Sequence, residues 1–287
     1  MRKNLCCLLA LFVLVHPLLA QKPKEKALLW KIESKGISKP SYIFGTIHLM
    51  CPDKIIVDTL IKQSFHATNQ LFLEIDMSDP AMMTKAMQHM MMRGDTSLQD
   101  LLSKQDYDSM NAIFKRAAGM PMDIMAKAKP MLLMSAVFPS MLGCAPEGWE
   151  QQFQNMAKDK AIPLKGLETI EYQMRVFDTI PYKVQADMLK DLLYHLDSTK
   201  NSFNEMLNLY EQKDINKLHS MTVEDPQFGN YEALLLNNRN ANWIKVITDA
   251  IKQTPTFFAV GAAHLGGDNG VISLLRKNGF KVSPVVY

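Results

Sequence analysis

The chain has 287 residues, of which 47% are apolar, and a formal charge of +3. That apolar share supports a sizeable interior and excludes a disordered chain. A charge this close to neutral excludes electrostatic capture of nucleic acid, so no nucleic-acid partner is expected.

The first 20 residues have the layout of a secretory signal peptide: Arg2 and Lys3, an apolar run over 5–15, then Pro17 and the small Ala20. Cleavage is expected after Ala20. The run is shorter than the ~20 apolar residues a membrane helix needs, so no stable membrane anchor is expected. Cys6 and Cys7 stand at the start of the run rather than after it, which argues against lipidation. Losing residues 1–20 removes two cations and no anion, lowers the charge from +3 to +1, and leaves 21–287 as one domain. The mature chain is then secreted or periplasmic. It keeps Cys51 and Cys144, an even pair in an oxidising compartment, so either a disulfide or two buried thiols is open. The separation of their Cα atoms decides between the two.

Next come runs rich in β-branched and aromatic residues, which read as strands over 41–44, 70–73, 162–165, 256–260 and 280–286. Between them, apolar residues at three- and four-residue spacing predict helices over 53–66, 81–92, 103–118, 182–196, 202–213, 231–253 and 270–278. Strands separated by helices imply an α/β fold with a mostly parallel central sheet and flanking helices. The helical stretches over 79–143 and 182–253 exceed simple crossovers, and predict a large helical insertion covering one edge of the sheet.

Two segments echo each other. Phe44-Gly45-Thr46-Ile47-His48 and Val260-Gly261-Ala262-Ala263-His264 each give a strand, a glycine at its end, and a histidine three residues on. In an open parallel sheet the ligand crevice lies outside the carboxyl ends of the strands, so the two imidazoles can face one cleft. Glycine allows a sharp exit and close backbone approach. Glu74 and Glu168 also close apolar runs, where a carboxylate is costly to bury unless it is paired or metal-bound. Two imidazoles and a carboxylate leave coordination positions open, as a catalytic Zn²⁺, Mn²⁺ or Co²⁺ needs to hold and acidify a water. The alternative for each histidine is a hydrogen-bonded core residue.

These segments resemble the TraB/GumN family, to which the animal TIKI metalloproteases are related. The resemblance rests on residues 42–49, Leu71-Phe72-Leu73-Glu74-Ile75-Asp76, Gly166-Leu167-Glu168-Thr169, Arg239-Asn240 with Trp243, and residues 260–267, in that order along nearly the whole mature chain. It implies a fold like that of ChaN and erythromycin-esterase proteins. It also implies a metal-dependent hydrolase, metallopeptidase-like, acting on a peptide or protein, with His48, Glu74 and His264 at the metal. Glu168 and Arg239 fall on other recurrent positions. The expected roles are Glu168 as the base that deprotonates water and Arg239 as the group that stabilises an oxyanion or orients a substrate carboxylate. Two rival readings are a haem- or iron-binding ChaN-like protein, and a catalytically silent regulator that sequesters peptides.

Other features invite simpler readings. Met77, Met82, Met83, Met87, Met90, Met91 and Met92 surround His89 and could bind Cu(I), but core packing is the expectation. His66, His89, His195 and His219 read as exposed or packed helical residues. Asp268 or Asn269 is expected to cap a helix after a glycine turn, and Asp76 either supports Glu74 or starts the next turn.

Overall fold

The computed structural model describes residues 25–287. The leader, its cleavage point, and Cys6 and Cys7 lie outside that range. In chain order the elements are β1 (Leu29–Glu33), β2 (Ser41–Thr46), α1 (Thr59–His66), β3 (Gln70–Ile75), α2 (Met82–His89), α3 (Leu98–Leu101) and α4 (Lys104–Ala118). Then follow α5 (Pro130–Val137), α6 (Pro139–Leu142), α7 (Trp149–Asp159), β4 (Leu164–Glu168), α8 (Ile170–Asp178), α9 (Tyr182–Tyr194) and α10 (Leu196–Glu211). The chain ends with α11 (Ile215–Glu224), α12 (Asn238–Gln253), β5 (Thr256–Gly261), α13 (Val271–Lys277) and β6 (Lys281–Pro284).

The strands form one six-stranded sheet in the order β4-β3-β5-β2-β1-β6. The four from β4 to β2 run parallel, as the alternation with helices predicts. β1 was not anticipated; it pairs antiparallel with both β2 and β6 and so turns one edge of the sheet. The inner parallel strands β3 and β5 are buried along all but their last residue, because helices cover both faces of such a sheet, whereas the edge strand β4 buries only Leu167.

Two apolar clusters result. One surrounds the sheet with Trp30, Phe44, Phe153, Trp243, Phe257 and Phe258. The other lies among helices of the expected insertion, with Tyr107, Met110, Phe114, Leu133, Leu189 and Phe203. Leu49 packs on the helical cluster while its neighbour Met50 belongs to the sheet cluster, so the strand-end loop carrying His48 runs along the seam.

Two local expectations are corrected and one open alternative is decided. Met83 and Met87 do not fill a core, being 64% and 58% exposed on a short α2 that buries none of its residues; Met77 and Met91, outside α2, are 42% and 48% exposed, whereas Met92 is buried as expected. Helix α13 is capped by Gly270 with no side-chain bond, so neither Asp268 nor Asn269 takes the expected capping position. Asp76 starts the next turn by accepting from the Ser78 N–H and hydroxyl.

Candidate metal and active site

Parallel pairing brings the carboxyl ends of β4, β3, β5 and β2 side by side, in register Ile75↔Glu168 and Thr46↔Gly261. Glu168 ends β4, Glu74 is the penultimate residue of β3, His264 closes a 3₁₀ turn after β5, and His48 lies two residues beyond β2. The five residues singled out from sequence, counting Arg239 on α12, thus share one region.

The motif glycines are there for close approach. A β-carbon on Gly45 would stand 2.9 Å from Leu265 Cδ1 and 3.1 Å from Ala262 Cα, so the two echoing segments pack directly on each other. Tyr210 fixes the same strand end by donating its hydroxyl proton to the Gly45 carbonyl at 2.9 Å. Gly261 faces the site itself. A β-carbon there would be 3.3 Å from Glu74 Oε1, 3.5 Å from His264 Cδ2 and 3.9 Å from His48 Nε2, so the three candidate ligands surround one bare α-carbon.

Each imidazole is held from behind. His48 Nδ1 lies 2.8 Å from Glu150 Oε1, which also accepts from the Thr46 hydroxyl at 2.6 Å. His264 Nδ1 lies 2.6 Å from Asn240 Oδ1; the Asn240 amide nitrogen donates to the Asn269 carbonyl, which fixes the amide's orientation and makes Nδ1 of His264 the protonated nitrogen. Acceptors behind Nδ1 leave Nε2 as the atom each ring offers forward, the usual support for metal-ligating histidines. Glu150 was not singled out from sequence: it sits in an ordinary amphipathic helix, 102 residues from the histidine it holds.

Glu74 Oε1 accepts the Gly261 N–H at 2.8 Å, and Oε2 accepts from Arg239 Nη2 at 2.7 Å and, more distantly, from Gln173 Nε2 at 3.4 Å. Arg239 is itself enclosed. Its Nε and Nη2 fork onto Glu168, with Nη2 to Oε1 at 2.6 Å, and its Nη1 donates to the Leu235 carbonyl and to His264 Nε2, both at 3.2 Å. Leu235 lies in a π-helical turn, Ala233–Asn237, that leads into α12. Such turns release carbonyls from the helical ladder and gather at functional sites. Trp243 completes the assembly: its indole N–H donates to Glu168 Oε2 at 2.9 Å, and its ring lies 4.9 Å from the guanidinium and 4.5 Å from the His264 ring.

Electrostatics follow from these contacts. Desolvation in the cleft works against a charge on His48, but the side chain is 65% exposed, and the bond to Glu150 with the charges of Glu150 and Glu74 pushes its pKa up to about 9. Burial, with the nearby Arg239 and His48, lowers His264 to about 3 despite Glu74. Burial would raise Glu74, yet Arg239, the two histidines and the Gly261 N–H hold it well below the usual carboxylate range. For Glu168 burial prevails over Arg239 and Trp243, and its pKa is raised.

By kind, the Glu74 oxygen, His48 Nε2 and the His264 ring that meet around Gly261 suit Zn²⁺, Mn²⁺ or Co²⁺. The set is not closed as it stands. His264 Nε2 and Glu74 Oε1 are 4.0 Å apart, wider than the roughly 3.3 Å between two ligands of a tetrahedral zinc, and Arg239 Nη1 abuts His264 Nε2. No group of three His, Cys, Asp or Glu side chains among the described residues is already gathered as a metal cage.

The loop carrying His48 is tied to the segment carrying Glu150. Cys51 and Cys144 form a disulfide with their Cα atoms 5.8 Å apart, and Met50 and Glu147 exchange backbone hydrogen bonds at 3.0 and 2.9 Å. His219, read from sequence as exposed or packed, is packed: its part-buried ring lies over Gly267 with Nδ1 3.3 Å from the Ala263 carbonyl, against the turn that bears His264.

A parallel α/β sheet with convergent imidazoles and carboxylates at its carboxyl edge defines the class. The chain belongs to the TraB/PrgY/gumN family, whose model matches residues 28–284. It is 21% identical over 320 residues to the protein named metalloprotease TIKI2 of Danio rerio, covering 88% of this chain and 60% of that one. Similar values hold for metalloprotease TIKI1 of Danio rerio, at 21% identity over 88% of this chain and 62% of the relative. For metalloprotease TIKI2 of Xenopus tropicalis they are 22%, 85% and 57%. The chain therefore spans about 60% of the length of the curated relatives it matches. No solved structure is significantly similar to it. Among the described residues no helix is long and apolar enough to cross a membrane.

Proposed function

We propose that this protein is an exported, metal-dependent hydrolase of peptide bonds, with His48, Glu74 and His264 as ligands to one divalent cation. The observation that carries the reading is the meeting of His48 Nε2, Glu74 Oε1 and the His264 ring around Gly261, with both imidazoles held from behind by Glu150 and Asn240. The distant similarity to proteins named metalloproteases supports the reaction class, and a disulfide supports an oxidising compartment.

A bound Zn²⁺, Mn²⁺ or Co²⁺ would supply a Lewis acid and a water acidified toward neutrality. Around it, the chain's own residues position the ligands. Glu150 and Asn240 set which nitrogen each imidazole presents. Gly261 N–H and Arg239 grip opposite oxygens of Glu74. His48, at the exposed mouth, is where an incoming peptide meets the site.

The roles expected for Glu168 and Arg239 change. Glu168 Oε1 accepts from Arg239 and Oε2 from both Arg239 and Trp243, so it can take a proton only after Arg239 lets go; we assign it the anchoring of Arg239 in place of the base. In the metal-free protein Arg239 has all five N–H bonds engaged within the protein, so there it offers none to an oxyanion.

Elemental analysis of the purified mature protein, with His48→Ala and His264→Ala beside it, tests the reading. One equivalent of a divalent metal in the wild type, absent from both variants and accompanied by metal-dependent cleavage of a peptide library, is expected. Metal retained in both variants would refute the ligand set. A visible absorption band would favour a haem or iron site, and tight peptide binding without cleavage in the metal-loaded protein would favour a sequestering role.

A further inference from the structure

Arg239 is buried between two carboxylates and an imidazole, and two of its three side-chain partners are proposed ligands. Its Nη2 holds Glu74 at 2.7 Å and its Nη1 meets Nε2 of His264 at 3.2 Å, the same nitrogen that a metal would need. The opposite side of the guanidinium is held by Glu168, which belongs to no ligand set here, and Trp243 lies within 4.9 Å of it. Two acidic side chains this deeply buried are costly to keep ionised without a cation among them, and in the metal-free protein Arg239 is the cation that meets both.

We propose that Arg239 is a resident counter-cation that competes with the divalent ion: it closes the Glu74–His264 pair in the metal-free protein and withdraws Nη1 from His264 when a metal binds. This inference rests on the metal site proposed above. It accounts for the open geometry of that site, since the 4.0 Å separation of Glu74 Oε1 and His264 Nε2 coexists with a guanidinium bridging the two residues. Glu168 and Trp243 give the arginine a place to stay once it releases His264. The competition keeps the metal-free protein folded and makes metal loading weaker than the donor set alone would give.

Removing an ordinary supporting residue behind a metal ligand costs about 10–100-fold in metal affinity. A competitor gives the opposite sign. Zn²⁺ and Mn²⁺ titrations by calorimetry, against a chelator of known strength, should be run on metal-free wild type, Arg239→Met and Arg239→Lys, with thermal melts in EDTA and in saturating Zn²⁺. Arg239→Met should melt lower than wild type in EDTA, gain more from Zn²⁺, and bind Zn²⁺ more tightly. Arg239→Lys, which keeps the charge but cannot bridge three partners, should shift affinity in the same direction by less, and it carries the test if Arg239→Met does not fold. Weaker or unchanged binding in the folded variants, with the wild type binding one ion, overturns this inference alone. A wild type that binds no divalent ion overturns it together with the proposed function. As a check free of substitutions, crystals of wild type with Zn²⁺ should show Nη1 withdrawn from His264 Nε2; an unchanged contact overturns the proposal.

Discussion

Gly261 is the position where the smallest change should do the most to the site. Gly261→Ala puts a methyl group 3.3 Å from Glu74 Oε1 and between the two imidazoles, at a backbone conformation, φ −51° and ψ 133°, that alanine adopts without strain. We expect Zn²⁺ affinity to fall by at least about tenfold while the melting temperature moves little, as for a change confined to ligand geometry. A large stability loss with unchanged affinity would place the ligands elsewhere. His48 sets the pH dependence. With its pKa near 9, a cation must displace its proton, so apparent affinity should rise about tenfold per pH unit and level off only near pH 9. Calorimetry across that range checks this, and Glu150→Gln should move the break down toward the ordinary histidine value. The two histidines act oppositely on metal-free stability. His48, raised in the folded state, contributes stability that is complete below about 6.5 and lost as pH climbs through about 9. His264, lowered to about 3, loses stability as pH falls from about 6.5 toward 3, because only the unfolded chain takes up the proton there. His264→Gln should therefore flatten the acid side of the melting profile, and an unchanged slope would show that another group sets it.

At the scale of elements, the site is built by loops that leave parallel strands and are then fastened together. The disulfide closes a separation of 93 residues and sits three residues beyond His48, beside the Met50–Glu147 backbone pair. Reduction, or Cys51→Ser with Cys144→Ser, should lower stability by about 2–4 kcal/mol and weaken metal binding, because Glu150 is then no longer pinned against His48. Chemical denaturation and zinc titration of the oxidised and reduced forms measure both effects. The strand-end histidines were legible in sequence because a glycine-ended apolar run fixes both the strand and its exit. Glu74 and Glu168 were legible for the related reason that a carboxylate closing such a run needs a partner. What those partners are was not legible. Glu150 reaches His48 from a helix with no local sign of its task, the π-helical turn before Arg239 looks like ordinary helix, and the full enclosure of Arg239 depends on contacts 71 and 165 residues away.

Across the whole molecule, sheet and helical cluster meet along a line that carries the site, the kind of junction where ligand clefts form. Leu49 and Tyr231 pack with the helical cluster while Met50 and Trp243 pack with the sheet, so metal or peptide bound between them should slow amide exchange on both sides. The parallel order of the four central strands followed from their alternation with helices. Strand β1 did not, being a five-residue segment whose antiparallel place is set by β2 and β6 rather than by its own pattern. The exposed methionines of α2 show the limit of periodicity: their spacing gives a helix face and says nothing of what, if anything, covers it. The central claim is that His48, Glu74 and His264 share one cation. Anomalous diffraction from crystals soaked in Zn²⁺ or Mn²⁺ measures this directly. One peak about 2.0–2.3 Å from His48 Nε2, a Glu74 oxygen and His264 Nε2 is the expected result. A metal bound elsewhere, or touching only one of the three, would contradict it.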